Sequence, residues 1–251
     1  MNPEPRTLNL ELARICVEAS ARAYEEVTFE SDLAHVLMVP AAGAGPLVLA
    51  FRGSANTRDW LSDFRIQMVD TDFGGVHSGF WRSANSLLPE ILRVPAVRSA
   101  VVVTGHSKGG AEALICARML RAAGKPVRAV VTFGGPRVGD GAWRRSYNRQ
   151  TANIEPGTSH SQSLGGITER WVLEADVVTR LPVWVTGYRH VGQECFMPAT
   201  GGVVRNPRLG LKAVSDFIGT VVGYRLGRLA PVVDHLVGEY QGRLGEIMQG
   251  E

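Results

Sequence analysis

Ser107 lies at the centre of Gly105-His106-Ser107-Lys108-Gly109, a Gly-x-Ser-x-Gly pentapeptide. Before it stands Val101-Val102-Val103, three β-branched residues suited to a buried strand. After it, Gly110 to Ala117 is a helix-forming run in which Leu114, Cys116 and Ala117 alternate with polar positions. A strand that turns into a helix within so few residues forces the central residue into a strained conformation with its side chain lifted out of the sheet. The flanking glycines leave room because they carry no Cβ. A serine hydroxyl is a poor nucleophile near neutral pH, so Ser107 needs a base within hydrogen-bond reach and a group to orient that base. It also needs backbone N–H groups aimed at the alkoxide that forms when it attacks a carbonyl.

The strand–elbow–helix unit resembles the nucleophile turn of α/β-hydrolases, whose acid and histidine follow the serine in that order. Asp176 comes directly after the predicted strand Ile167 to Glu174, which places it on the rim where parallel strands end. Glu174, Asp140 and Asp234 are rival acids in the strand, in a Gly-rich turn and beside a histidine. Six histidines compete for the base. His35 and His77 precede the serine, and His106 is expected to point away from Ser107 because neighbours in an extended segment face opposite sides. His160 falls in a polar, Gly/Ser-rich stretch. Of His190 and His235, chain position favours His235, which follows a long helical excursion and opens a final element. For the oxyanion, Lys108 supplies one N–H from the start of its helix, where the helix dipole also favours negative charge. Ser54, on the turn after the Phe51 strand, supplies the second, with its hydroxyl as an extra donor.

The elements that must hold these residues alternate. Leu8 to Tyr24 reads as an amphipathic helix with Leu8, Leu12, Ile15, Ala19 and Ala23 on one face. Strands are expected at Leu33 to Val39, Pro46 to Phe51, Val101 to Thr104, Val127 to Phe133 and Ile167 to Glu174. Tyr188 to Val191 and Glu194 to Met197 are expected to pair as an edge hairpin, and Gly201 to Pro207 reads as loop. Helices are expected up to Arg93, from the elbow to Gly124, over Gly141 to Gln150 and around Ala213 to Val222. Between Thr57 and Phe64, Trp60, Leu61 and Phe64 share one helical face, which suits a lid that covers a pocket and turns toward lipid. Buried strands alternating with helices imply a mostly parallel sheet covered on both faces. The expected organisation is one α/β domain over residues 1–251, with the lid at about 55–68.

Composition narrows the partners. Lys and Arg number 27 against 24 Asp and Glu, a net charge of +3 that is too small to argue for nucleic acid, and no basic run supports it. No stretch of about 18 apolar residues is present to span a membrane. Three cysteines, Cys16, Cys116 and Cys195, have no metal-type spacing and suggest no disulfide framework. The start Met-Asn-Pro-Glu-Pro-Arg lacks a basic residue followed by an apolar run, so the expected location is cytoplasmic, or exported without a cleaved signal.

Several blocks together resemble the class 3, fungal-type, lipases of the α/β-hydrolase superfamily. Val48 to Ser54, with Trp60 and Asp63, is similar to that family's oxyanion strand and lid start. Val76-His77-Ser78-Gly79-Phe80 resembles its His-x-Gly-Phe block, Gly105 to Gly110 its elbow, and Thr132 to Gly139 its Thr-Phe-Gly-x-Pro-Arg-Val-Gly strand. Asp176 to Pro182 resembles its acid block, Tyr188 to Gly192 its non-catalytic histidine strand, and Asp234-His235-Leu236 its terminal histidine. The resemblance implies a triad of Ser107, Asp176 and His235, a structural His190, and hydrolysis of carboxylic esters of lipids, usually acylglycerols, without a cofactor. It implies lipid or small-ester substrates and transient contact with a lipid surface. A phospholipase or an acyltransferase would use the same triad, and a lipid-binding protein on the same scaffold is the alternative of another class. Lys108 stands where fungal members carry leucine, so a long cation at the pocket floor is expected to alter substrate preference. The lack of cysteine pairs and of a leader suggests a bacterial member.

Overall fold

The computed structural model describes residues 9–40, 46–54, 66–98, 100–149, 162–174, 176–207 and 235–250. Their order is α1 (Leu10–Arg22), β1 (Phe29–Glu30), β2 (His35–Val39), β3 (Leu47–Phe51), β4 (Met68–Thr71), β5 (Gly74–His77) and α2 (Ser78–Arg93). Then follow β6 (Val101–His106), α3 (Lys108–Ala122), β7 (Val127–Phe133), α4 (Gly141–Arg149), β8 (Thr168–Leu173), β9 (Gln193–Met197), β10 (Val204–Arg205) and α5 (Val237–Gln249). One eight-stranded sheet runs β1-β2-β3-β6-β7-β8-β9-β10, and β4 pairs with β5 in a separate hairpin. The five strands from β3 to β9 in this order are parallel, flanked by antiparallel pairs at both edges.

Both faces of the sheet are covered, as apolar strands on a parallel sheet require. Leu47, Leu49 and Phe51 of β3 and Val101 and Val103 of β6 face a core built with α2, α3 and α4. Val48, Ala50 and Val102 face the opposite core, where α1 and α5 pack together. The register sets where function can sit. Phe51 lies opposite Gly105, His106 opposite Phe133 and Phe133 opposite Trp171. The turns leaving β3, β6, β7 and β8 therefore open on one rim, and Ser54, Ser107, Gly134 and Asp176 occupy them.

Three expectations need correction. The buried face of α1 is Ala13, Cys16, Val17, Ala19 and Ser20, while Ile15 is exposed. Small residues let the helix lie close on the sheet, where the Ser20 and Thr104 hydroxyls bond at 3.1 Å. Arg14 bridges Glu11 and Glu18 on the outer side. The expected hairpin of Tyr188 to Val191 with Glu194 to Met197 does not form. Gln193–Met197 runs parallel to β8, whereas Arg189 bridges back to Gly139, because a long crossover carrying two short 3-10 turns, Val178–Arg180 and Trp184–Thr186, returns the chain in the sheet's own direction. The stretch expected as loop between Gly201 and Pro207 contains β10, whose Val204 and Arg205 pair with Phe196 and Cys195. The predicted lid from Thr57 to Phe64, the helix around Ala213 to Val222 and most of the Thr151 to Gly166 stretch lie outside the described residues. All three cysteines are free and buried. Among the described residues no helix is long and apolar enough to cross a membrane.

Candidate active site

Ser107 has φ 58° and ψ −128°, a left-handed backbone that a residue with a Cβ adopts at a cost of about 1–3 kcal/mol. The elbow holds it there. Its N–H donates to the Phe133 carbonyl at 2.9 Å, and its own carbonyl accepts from the Gly110 N–H at 2.9 Å. Close packing explains the glycines: a Cβ on Gly105 would stand 2.9 Å from the Gly110 nitrogen, and one on Gly109 would stand 2.7 Å from the Phe51 carbonyl carbon. The first turn of α3 is thereby pressed onto the ends of β3 and β6, with its unpaired N–H groups at the serine.

His235, just ahead of α5, brings Nε2 to 2.8 Å from the Ser107 hydroxyl, and its Nδ1 lies 3.0 Å from both oxygens of Asp176. A carboxylate only accepts, so Nδ1 carries the proton and Nε2 presents its lone pair to the serine O–H. Asp176 is itself held from two more sides. The Val178 N–H donates to Oδ1 at 2.8 Å, and the Tyr240 hydroxyl donates to Oδ2 at 2.7 Å. Ser107, Asp176 and His235 are all buried. The turn after β7 makes room for the pair, since a Cβ on Gly134 would fall 2.7 Å from Asp176 Oδ2 and 3.1 Å from His235 Nδ1.

Ser54 and Lys108 lie on the two turns that flank the serine. A Cβ on Gly53 would come within 3.1 Å of the Ser107 Cβ, which places the Ser54 turn against the elbow, and Lys108 is the first residue of α3. The Lys108 side chain is held by partners on both sides. Its Nζ donates to the Leu33 carbonyl at 2.6 Å and to Glu112 Oε1, one helical turn on, at 2.7 Å. Glu112 is fully buried and also meets the Ser83 hydroxyl. Burial pushes its carboxyl upward, and Lys108 pulls it back. The lysine charge is thus tied into the α2–α3 interface, beside a cavity of about 190 Å³ that Leu33, His77, Phe80 and Arg82 also line.

The other histidines are elsewhere. His77 caps α2 by accepting from the Phe80 N–H at 3.3 Å. His190 donates from Nε2 to the Thr179 carbonyl at 2.7 Å, bracing the loop that carries Asp176. His106 does turn away from Ser107, and its ring lies against His235 with centroids 4.8 Å apart. Trp60, Leu61 and Phe64 lie outside the described residues, as do Asp234 and His160. Sequence reasoning missed Tyr240, whose only signal is its place five residues after His235 at the start of a helix, and it missed the partners of His106.

A parallel sheet with helices on both faces and a serine elbow on its C-terminal rim defines an α/β-hydrolase. Lipase II from Rhizopus niveus has the same fold, with a TM-score of 0.62 at 23% identity over 76% of this chain and 82% of that one. The class 3 lipase model matches residues 48–186, and the chain belongs to that family. It is 34% identical over 160 residues to a secreted mono- and diacylglycerol lipase from Fusarium solani, covering 60% of this chain and 44% of that protein. It is 32% identical over 166 residues to a lipase from Rhizomucor miehei, covering 60% and 41%. The chain thus spans less than half the length of these relatives, and their fungal sources lend no support to the expected bacterial origin.

Proposed function

We propose that the protein is a serine hydrolase that cleaves carboxylic esters of lipids, acylglycerols first among them. The observation that carries this reading is the hydrogen-bonded line from Asp176 through His235 to a serine held at positive φ. His235 Nε2 takes the Ser107 proton as Oγ attacks the ester carbonyl, and Asp176 steadies the imidazolium that results. The Ser54 and Lys108 N–H groups receive the developing oxyanion. His235 then returns the proton to the leaving alcohol, and water, activated by the same histidine, releases the acid from Ser107. No step calls for a cofactor. Family membership and the names of the two relatives support the lipid ester class. The word "secreted" in the name of one relative favours the exported alternative over the cytoplasmic one for this chain as well.

The test is Ser107→Ala on p-nitrophenyl esters of graded chain length, with an acylglycerol and a phospholipid included. The expected loss in kcat is on the order of 10⁴- to 10⁶-fold. Near-parental turnover by that variant would sink the mechanism. His235→Ala should be similarly damaging, whereas His190→Ala should retain most activity.

A further inference from the structure

Side chains on β6 alternate between the two cores. Val101 and Val103 face α2 and α3, while Val102, Thr104 and His106 face α1 and α5. His106 is therefore turned from the nucleophile beside it and toward the helix that follows the base. Its ring is buried among Tyr24 in the turn after α1, His235, and Tyr240 of α5, with centroids at 6.1, 4.8 and 5.9 Å.

The hydrogen bonds around that ring have only one consistent direction. His106 Nε2 lies 2.6 Å from the backbone carbonyl of His235, which can only accept, so Nε2 carries the proton. In a neutral imidazole Nδ1 is then bare, and it lies 2.8 Å from the Tyr24 hydroxyl, which donates to it. Burial pushes the Tyr24 phenol up to about 12, so that donor keeps its proton. Burial and the neighbouring His235 hold His106 well below the usual histidine range, which keeps it neutral. The Gly53 N–H in turn approaches the Tyr24 oxygen, and a Cβ on Gly53 would collide with that hydroxyl.

We infer that His106 is a positioning residue: its imidazole ties the His235 backbone to Tyr24 beside the Gly53–Ser54 turn, fixing base and oxyanion donors in one frame. The inference rests on the function proposed above, with His235 as the base. Pinning the His235 carbonyl fixes the peptide from which its imidazole projects, and misplacement of a reacting group by about 1 Å costs roughly 10²-fold in rate.

The test compares His106→Leu, His106→Gln and Tyr24→Phe with the parent chain, using an ester assay and ¹⁵N NMR. His106→Leu should lower kcat by about 10- to 100-fold while KM stays within about twofold. Gln keeps a donor near the Nε2 position and should recover part of that loss; Tyr24→Phe should lower kcat less, in the same direction. The NMR spectrum of the parent at neutral pH should show His106 as the Nε2–H tautomer. Parental kcat in both His106 variants with only a lower Tm would overturn the inference, as would an Nδ1–H tautomer. If His106→Leu fails to fold, Tyr24→Phe and the parent spectrum decide. Ser107→Ala run alongside reports on the proposed function separately: if it stays active, that reading fails whatever the tautomer.

Discussion

Asp176 takes hydrogen bonds from His235, the Val178 N–H and the Tyr240 hydroxyl, and that hydroxyl also accepts from the Leu173 N–H at 3.2 Å. Tyr240 thus joins α5 to the end of β8 at the carboxylate that orients the base. Tyr240→Phe keeps the ring packed on Phe133 and removes only the oxygen. It leaves a buried acceptor and a buried N–H short of a partner, a cost of about 1–3 kcal/mol in stability. Urea unfolding should register that loss, and kcat should fall with KM unchanged because Asp176 is less firmly held. A variant equal to the parent in both would show that Tyr240 only fills space. The serine, the acid and the histidine were legible in the sequence because each sits where a strand pattern ends or a final helix begins. Tyr240 and the Tyr24–His106 pair were not, because their partners lie 64 and 82 residues away and meet only when the helices pack.

At the scale of elements, the turn after β7 decides whether the base and acid can meet. Gly134 has φ +58°, and the absent Cβ is what admits Asp176 Oδ2 and His235 Nδ1. Gly134→Ala must displace the pair and strain the turn, so kcat should fall by about 10²-fold and stability by roughly 1–2 kcal/mol. Steady-state kinetics and thermal unfolding check both, and a fall in Tm with kcat intact would count against the geometry. Between α2 and α3, burial raises the Glu112 carboxyl above its ordinary 4.5. The folded chain therefore holds a proton that the unfolded chain has released, and stability falls as pH rises through that window. Glu112→Gln has no such titration, so its stability relative to the parent should rise as pH is raised from 4.5 toward neutrality. A flat difference in urea midpoints across that range would mean that Lys108 fully offsets the burial. The core strands were legible as continuous apolar runs, which only a doubly covered sheet explains. The α1 face was misread in part because its fully buried positions are Ala13, Cys16, Val17, Ala19 and Ser20, while Ile15 turns outward and Leu12 packs only partly buried. The β4–β5 hairpin went unseen: its Gly74–Gly75 start breaks any alternation.

For the molecule as a whole, the three side chains that meet on the rim are also buried. Ser107 has no solvent exposure and His235 has 1%, which makes access of an ester to Oγ a step worth testing. Some apolar side chains are exposed in the chain that follows the acid and the base: Trp184 and Val185 after the acid loop, and Leu236 directly after His235. Scattered exposed apolar groups are ordinary, so these three carry no argument by themselves. We propose that the stretch at about 55–68, which the sequence alone reads as a helix with Trp60, Leu61 and Phe64 on one side, is a lid whose opening would expose that apolar side. Such exposure would be unfavourable in water and would favour a closed state, whereas at a lipid surface the same area would be buried and an open state would gain. The rate on tributyrin should therefore rise sharply as its concentration crosses the solubility limit. Trp60→Ala should flatten the rise while leaving hydrolysis of a small soluble ester closer to that of the parent. Smooth saturation through the limit, in parent and variant alike, would mean that Ser107 is uncovered without help from the interface.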